Sequence, residues 1–361
     1  MSLYVDSLYQ KIDNGRLGKN IGISTGLPKL DETIGGIQRA VYSLIFAATS
    51  VGKTSFVLYT HIYRPLMERL GDLNFRIVYY SLEMTAEILL AKLLSLYIWE
   101  TNGIDISFSD ILSRVEVLND EQYAYVVEAR EWLEKVMEHL TIYDKNLSPN
   151  ALYVNMKKYS EEHGTWTEHE NTKVYKPFRE DETVVVILDH IFLIRPGQGQ
   201  SAKEAVDAAS AYLISFRNKC SYSPVVLQQL NRNASGMDRR KAEMQEPELQ
   251  DLKGSGNTSE DCDLAIALFA PFREKMSSHK GYKIDRLRDA YRAAIVLKNR
   301  YGEVDKILPM NFFGKVGLFR QLPKPEDIPD NKYYLYENLH PSAPPSKVSP
   351  KDEESFLYNI D

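Results

Sequence analysis

A lysine and a hydroxyl stand side by side in this chain, Lys53-Thr54, directly after Gly52 and the run Ala47-Ala48-Thr49-Ser50-Val51. An apolar segment, Val41-Tyr42-Ser43-Leu44-Ile45-Phe46, leads in, and a helical pattern over Ser55–Arg64 leads out. Strand, loop and helix in that order suit a phosphate-binding loop. A triphosphate needs inward-facing backbone N–H groups, a helix N-terminus behind them, a lysine for the outer phosphates and a hydroxyl for Mg²⁺. Ala48, Thr49, Ser50, Val51, Gly52, Lys53 and Thr54 are therefore the candidate contacts to ATP, and Thr54 is also a candidate Mg²⁺ ligand. Ala47 stands where the pattern begins with glycine. Its β-carbon is tolerated only if the local φ is negative. The blander reading is a turn that happens to contain Gly-Lys-Thr. The buried strand before it and the helix after it weigh against that.

Three further residues end apolar runs. Asp189 closes Val184-Val185-Val186-Ile187-Leu188, the place from which a carboxylate holds Mg²⁺ through water. Glu83 follows a second strand, in Tyr80-Ser81-Leu82-Glu83-Met84. Hydrolysis needs a carboxylate to orient and polarise water, although sequence alone does not select Glu83 over a helix-capping or ion-pairing acid. Gln229 ends a run at Val226-Leu227-Gln228-Gln229, where an amide can sense the γ-phosphate and pass its state onward. The loop that follows, Asn231 to Pro247, carries Arg232, Arg239, Arg240 and Lys241 and no aromatic residue. It suits contact with a nucleic-acid backbone better than base stacking.

Positioning these groups takes an α/β fold. Strands are expected at Val41–Phe46, Phe75–Tyr80, Val184–Leu188, Val225–Gln228, Leu264–Phe269 and Ala294–Lys298, continuous enough to be buried on both faces. A closing hairpin pairs Ile307–Phe313 with Val316–Arg320 across Gly314-Lys315. Helices are expected at Ala86–Thr101, Asp120–Glu138, Asn150–Glu161 and Ala202–Cys220. Residues 1–20 read as a short arm with a small apolar face at Leu3, Val5, Leu8 and Ile12, and residues 21–320 as the main α/β domain. A charged insertion is expected near 161–182, flanked by His163 and His169, which read as surface histidines. Residues 321–361, rich in proline and acid, read as a flexible tail.

The chain has 361 residues, 43% hydrophobic and 26% charged, the balance of a soluble globular protein. No run is apolar enough to span a bilayer, the start lacks a signal peptide, and two cysteines form no metal-like pair. A cytoplasmic protein with no membrane partner is the expectation. A net charge of −6 argues against coating duplex DNA, but a ring threaded by one strand needs positive charge only on its inner loops. The stretch 273–300 is locally basic, through Arg273, Lys283, Arg286, Arg292 and others, and reads mainly as a mixed-charge surface.

Seven segments in order resemble the RecA-like motor domain of the DnaB-type replicative helicases. They are Gly22 to Asp31, the phosphate loop, Ser81-Leu82-Glu83-Met84, Ile187-Leu188-Asp189-His190, Gln229-Leu230-Asn231-Arg232, Asp251 to Gly256, and Lys298-Asn299-Arg300. The resemblance implies a RecA-like P-loop NTPase core, with a mostly parallel central sheet flanked by helices and a C-terminal hairpin. It implies that Glu83 is the water-activating base, Gln229 the γ-phosphate sensor, and Arg300 an arginine finger reaching a neighbour's ATP beside Lys298. Lys253, Gly254, Gly256 and Arg232 fall where the family grips single-stranded DNA. Lys253 and Gly254 replace the usual arginine and glutamate, and His190 the usual tyrosine. Lysine keeps the charge and loses the planar fork. About 20 residues precede the motor, so the expected form lacks the N-terminal helical domain of cellular members and resembles bacteriophage versions, acting in an infected bacterial cell.

The reading that follows is an ATP-dependent, ring-forming DNA helicase, a hexamer by family expectation, with primase or a helicase loader as partner. Two rivals remain at this stage. One is a RecA-like recombinase or ATPase with the same core. The other is a non-hydrolysing nucleotide switch that anchors replication proteins.

Overall fold

Every apolar run expected to be a strand lies in one nine-stranded sheet. The computed structural model describes residues 3–114, 116–169, 172–231, 245–252 and 258–337. In chain order its strands are β1 (Ser43–Ala47), β2 (Phe75–Ser81), β3 (Leu140–Tyr143), β4 (Gly164–His169), β5 (Thr172–Pro177), β6 (Thr183–Asp189), β7 (Ser223–Gln229), β8 (Leu264–Phe269), β9 (Ser278–His279), β10 (Tyr282–Lys283), β11 (Tyr291–Asn299), β12 (Lys306–Phe313) and β13 (Leu318–Gln321). The sheet order is β13-β12-β11-β8-β1-β7-β6-β2-β3. From β8 to β3 every pairing is parallel, while β11, β12 and β13 join antiparallel, so the expected C-terminal hairpin is present.

Strand alternation splits the core in two. Ile45, Ile77 and Ile187 face one layer, and Leu44, Val78 and Val186 face the other. The α-helices up to Cys220 are, in chain order, α1 (Leu3–Arg16), α2 (Pro28–Ile34), α3 (Lys53–Val57), α4 (Arg64–Arg69), α5 (Ala86–Asn102), α6 (Phe108–Ile111), α7 (Asp120–Glu128), α8 (Arg130–His139), α9 (Pro149–His163) and α10 (Ala202–Cys220). The first layer takes Phe56 of α3, Leu66 of α4, Leu93 of α5 and Val136 of α8. The second takes Met156 of α9 and Leu213 of α10. The sheet is thus covered on both faces, as a parallel sheet must be.

The details depart from expectation in four places. The helix after the phosphate loop is not uniform, because Leu58–Tyr63 between α3 and α4 is wound as a π-helix. The helix expected over Asp120–Glu138 breaks at Ala129, and Trp132 of α8 then stacks on Tyr97 at 4.1 Å. The charged insertion is a β-hairpin, not a polar loop. Trp166 of β4 sits opposite Tyr175 of β5, and the Trp166 indole donates to Ser160 Oγ at 2.9 Å. Such a cross-strand aromatic pair stabilises a hairpin that a charge count hides. Gly164 is required there, since a Cβ would lie 2.5 Å from the Tyr175 ring.

The fourth departure is the tail. Residues 322–337 pack on the body, with Leu322, Ile328 and Tyr333 buried. Tyr282 donates to the Pro323 carbonyl at 2.5 Å, and Asn311 Nδ2 to the Tyr336 carbonyl at 2.6 Å. The same segment pairs with two cations of the basic stretch. Lys283 Nζ pairs with Asp330 at 2.6 Å, and Arg286 Nε with Glu337 at 2.6 Å. The end of the expected tail, 338–361, lies outside the described residues. Among the described residues, no helix is long and apolar enough to cross a membrane.

Candidate active site

The C-terminal ends of β1, β2, β6 and β7 meet at one edge of the sheet. Ser81 is in register with Asp189, and Ala47 with Gln229. Ligands of open parallel sheets bind outside this edge. Alternation puts Tyr79, Asp189 and Gln229 on the α3 side, in step with Ile77, Ile187 and Leu227. Gln228 points the other way and accepts from Thr258 Oγ1 at 2.8 Å.

The loop between β1 and α3 has the backbone that anion binding asks for. Ser50 and Gly52 take positive φ, 63° and 106°, between residues of ordinary conformation. Alternation of this kind turns successive N–H groups to one side. Ala47 is the last residue of β1, outside the positive-φ set, so its β-carbon causes no conflict. Lys53 begins α3 and is 8% exposed. Burial pulls its ammonium down from the ordinary lysine range, opposed by the charges of Asp189 and Glu83.

Asp189 is a buried acid held by two hydrogen bonds. Its Oδ2 accepts from Thr54 Oγ1 at 2.8 Å and from Tyr79 OH at 3.0 Å. Its Oδ1 is buried with no hydrogen-bond partner. A buried carboxylate oxygen left free beside a threonine hydroxyl fits Mg²⁺, which uses one or two protein oxygens and takes the rest from phosphate and water. No cluster of three or more His, Cys, Asp or Glu able to hold a metal exists among the described residues. Glu83 is exposed just beyond β2, and its charge acts on both Lys53 and Tyr79. His190 is nearly buried, and burial, then Lys53, push its imidazole down to about 4. It is neutral at physiological pH.

Sequence reasoning missed three side chains here. Tyr79 holds Asp189, as above. Lys92 of α5 lies over the Phe108 ring at 4.2 Å and feels the charges of Asp189 and Glu83, while burial lowers its pKa. A lone lysine in the apolar run Ile88–Leu96 was the available signal. Arg292 of β11 is 0% exposed and donates through Nε to the Val51 carbonyl at 2.7 Å. Nothing local in the sequence distinguishes it from its basic neighbours.

Lys298 and Arg300 are not part of this cluster. On β8, Leu268 is level with Ala47, whereas Lys298 of β11 is level with Ala265 and Asn299 with Leu264. At about 3.3 Å per residue the end of β11 lies roughly 13 Å down the sheet from the phosphate loop. There Arg300 Nη1 donates to Asp263 Oδ1 at 2.9 Å, and Lys298 Nζ to the Ser259 and Glu260 carbonyls. Asp263 also holds Arg217 at 2.6 Å. The Arg300 side chain is 49% exposed. Arg232, Lys253, Gly254 and Gly256 lie outside the described residues.

Residues 22–321 match the family model described as the DnaB-like helicase C terminal domain. The replicative DNA helicase DnaB of Helicobacter pylori is 25% identical over 285 residues, covering 76% of this chain and 50% of that protein. The replicative DNA helicase DnaC of Bacillus subtilis is 26% identical over 272 residues, covering 73% and 52%. The chain thus spans about half the length of these curated relatives. A solved structure of a DnaB-like replicative helicase, described with its interactions with primase, superposes with a TM-score of 0.66 at 22% identity, over 90% of this chain and 68% of that one. A solved ATPase domain superposes with a TM-score of 0.67 at 21% identity, over 89% and 98%. Both likenesses show a shared fold.

Proposed function

Because the chain belongs to the family of DnaB-like helicase C-terminal domains, we propose that it is an ATP-driven motor that translocates on single-stranded DNA and unwinds duplex DNA. The observation that carries this reading is the free buried Oδ1 of Asp189, beside Thr54 and Lys53, at the strand edge from which Glu83 also acts. Thr54 and Asp189 would hold Mg²⁺, which would supply charge neutralisation to the phosphates. The loop N–H groups from Ala48 to Thr54 cradle the phosphates, and Lys53 reaches the outermost. Glu83 orients the attacking water and takes its proton. Gln229 reads the γ-phosphate from the end of β7 and passes its loss to the loop that begins at Asn231.

Two roles need a second copy or DNA. Arg300 sits at the far edge of its own sheet, so it serves as a finger only across a subunit interface, with Lys298 beside it. A ring, hexameric by family expectation, brings that edge to a neighbour's phosphate loop. Arg232 and Lys253 grip the strand's phosphates by charge, and Gly254 and Gly256 offer only backbone groups to it. Primase or a loader is the expected partner, and the cytoplasm the expected setting. Purified protein tests the reading by ATP turnover with and without single-stranded DNA, followed by strand separation. Turnover stimulated by single strands, with unwinding, is expected. Tight ATP binding without turnover would establish the switch instead, and strand exchange without unwinding the recombinase.

A further inference from the structure

Arg292 is a buried cation with an unusual target. Its side chain is 0% exposed, on β11, with Nε and Nη1 donating to backbone and Nη2 buried without a hydrogen-bond partner. Nε donates to the Val51 carbonyl at 2.7 Å, and Nη1 donates to the Asp289 and Tyr291 carbonyls at 2.6 and 2.8 Å. Nη2 lies 3.3 Å from Asp289 Oδ1, and the guanidinium lies over the Phe312 ring at 5.0 Å. Asp289 is itself braced by a two-point contact from Arg273 at 2.9 and 3.1 Å. Removing an arginine from water is costly, and well-packed apolar residues commonly serve stability as well or better. A guanidinium that ties one carbonyl of the phosphate loop to the backbone at Asp289 and Tyr291 needs another reason.

The reason lies in the peptide that this carbonyl belongs to. The Val51–Gly52 bond is outside the cis set and is therefore trans and planar, with its C=O and N–H on opposite sides. Pinning the Val51 oxygen toward β11 turns the Gly52 N–H toward the opposite side, that of the anion cradle. The rear of the loop is closed as well, since Phe312 and Phe319 lie behind Gly52. We infer that Arg292 is a positioning residue for phosphate binding: it fixes the orientation of the Gly52 N–H from behind the loop, so that this donor is pre-aimed before the ligand arrives. This rests on the nucleotide site proposed above and adds a residue that never touches the nucleotide. Pre-aimed donors bind anions without a reorganisation cost at the moment of binding.

Two variants separate this role from a structural one. Arg292→Met keeps length and apolar bulk and drops the charge. Arg292→Lys keeps the buried charge and drops the fork. Both full-length variants and wild type are measured for affinity toward pyrophosphate and ATP, beside thermal unfolding without ligand. The expected result is about a tenfold loss of affinity for both ligands in both variants, even where the unfolding temperature is unchanged. A lysine variant that binds like wild type would show that charge or packing suffices and overturn the inference. So would a folded methionine variant with wild-type affinity. If the methionine variant does not fold, the lysine variant alone decides. Wild-type protein that binds neither ligand would instead overturn the nucleotide site itself.

Discussion

Gly52→Ala adds one methyl group at the tightest point of the phosphate loop. Two costs can be worked from the structure. Gly52 has φ 106° and ψ 20°, a conformation that a β-carbon makes unfavourable by about 1–2 kcal/mol. The new carbon would also lie 3.1 and 3.2 Å from Cζ and Cε1 of Phe312. That ring has little room to withdraw, being stacked on Phe319 at 4.4 Å and capped by the Arg292 guanidinium. Overpacking of this kind adds about 1–3 kcal/mol. The total, about 2–5 kcal/mol, is relieved most easily by rerouting the loop, because the sheet behind it is rigid. ATP affinity should then fall at least about 30-fold, at 1.4 kcal/mol per tenfold. Equilibrium titration with a fluorescent ATP analogue, paired with thermal unfolding of the same sample, measures both outcomes. Adding Phe312→Leu should recover about tenfold by removing the contact while the φ cost stays. Wild-type affinity and melting for Gly52→Ala would refute the reasoning, and full recovery with Phe312→Leu would remove its backbone half.

Arg300→Ala should keep ATP binding and lose turnover by about 10³ or more, as removal of an arginine finger does. Mixing it with Glu83→Gln protein should restore a fraction of sites, and an inert mixture would place Arg300 in its own subunit's chemistry. His61, 4% exposed in the π-helix, is pushed down to about 4 by burial. The unfolded chain takes this proton near pH 6.5 and the folded protein only near 4, so stability falls as pH falls across that window, by at most about 3 kcal/mol. His61→Leu should flatten that limb of the pH–stability curve, and an unchanged limb in urea titrations would show that His61 is not held neutral. Because Lys283 is paired with Asp330, Lys283→Ala should leave the salt dependence of single-strand binding alone. Lys253→Ala should reduce the slope of log K by about 0.7, and the reverse pattern would move the DNA contact to the basic stretch.

What was legible in the chain follows from the range over which each signal acts. Strands buried on both faces announce themselves by composition, so all eight expected runs are found in the sheet. Its edge strand β3, four residues with only Leu140 fully buried, carries too little of that signal. The hairpin at 164–177 was obscured because Glu168 and Lys173 fall on the same face as Trp166 and Tyr175, which breaks the apolar–polar alternation that marks a strand. Lys53, Thr54 and Asp189 could be placed because motif spacing encodes them. Tyr79, Lys92 and Arg292 could not, since their relevance comes from contacts across 110 to 241 positions of sequence, or from charge felt through the fold. The neutralisation of Lys283 and Arg286 was missed for the same reason: their partners belong to a segment that composition marks as tail.

The placement of Arg300 has a consequence for how copies of this chain can associate. The phosphate loop lies at one end of the parallel strands and the guanidinium at the other, so under the finger role proposed for Arg300 the acceptor and donor halves of a complete site occupy different surfaces. A twofold dimer joins like surface to like and would complete neither half. Contact must therefore be head-to-tail, and a head-to-tail contact has only two outcomes, a closed ring or an open filament. An open row always leaves one unfilled loop and one idle arginine at its ends, whereas closure fills every site. Turnover per subunit should thus rise with chain number in a row and reach its ceiling when the row meets itself.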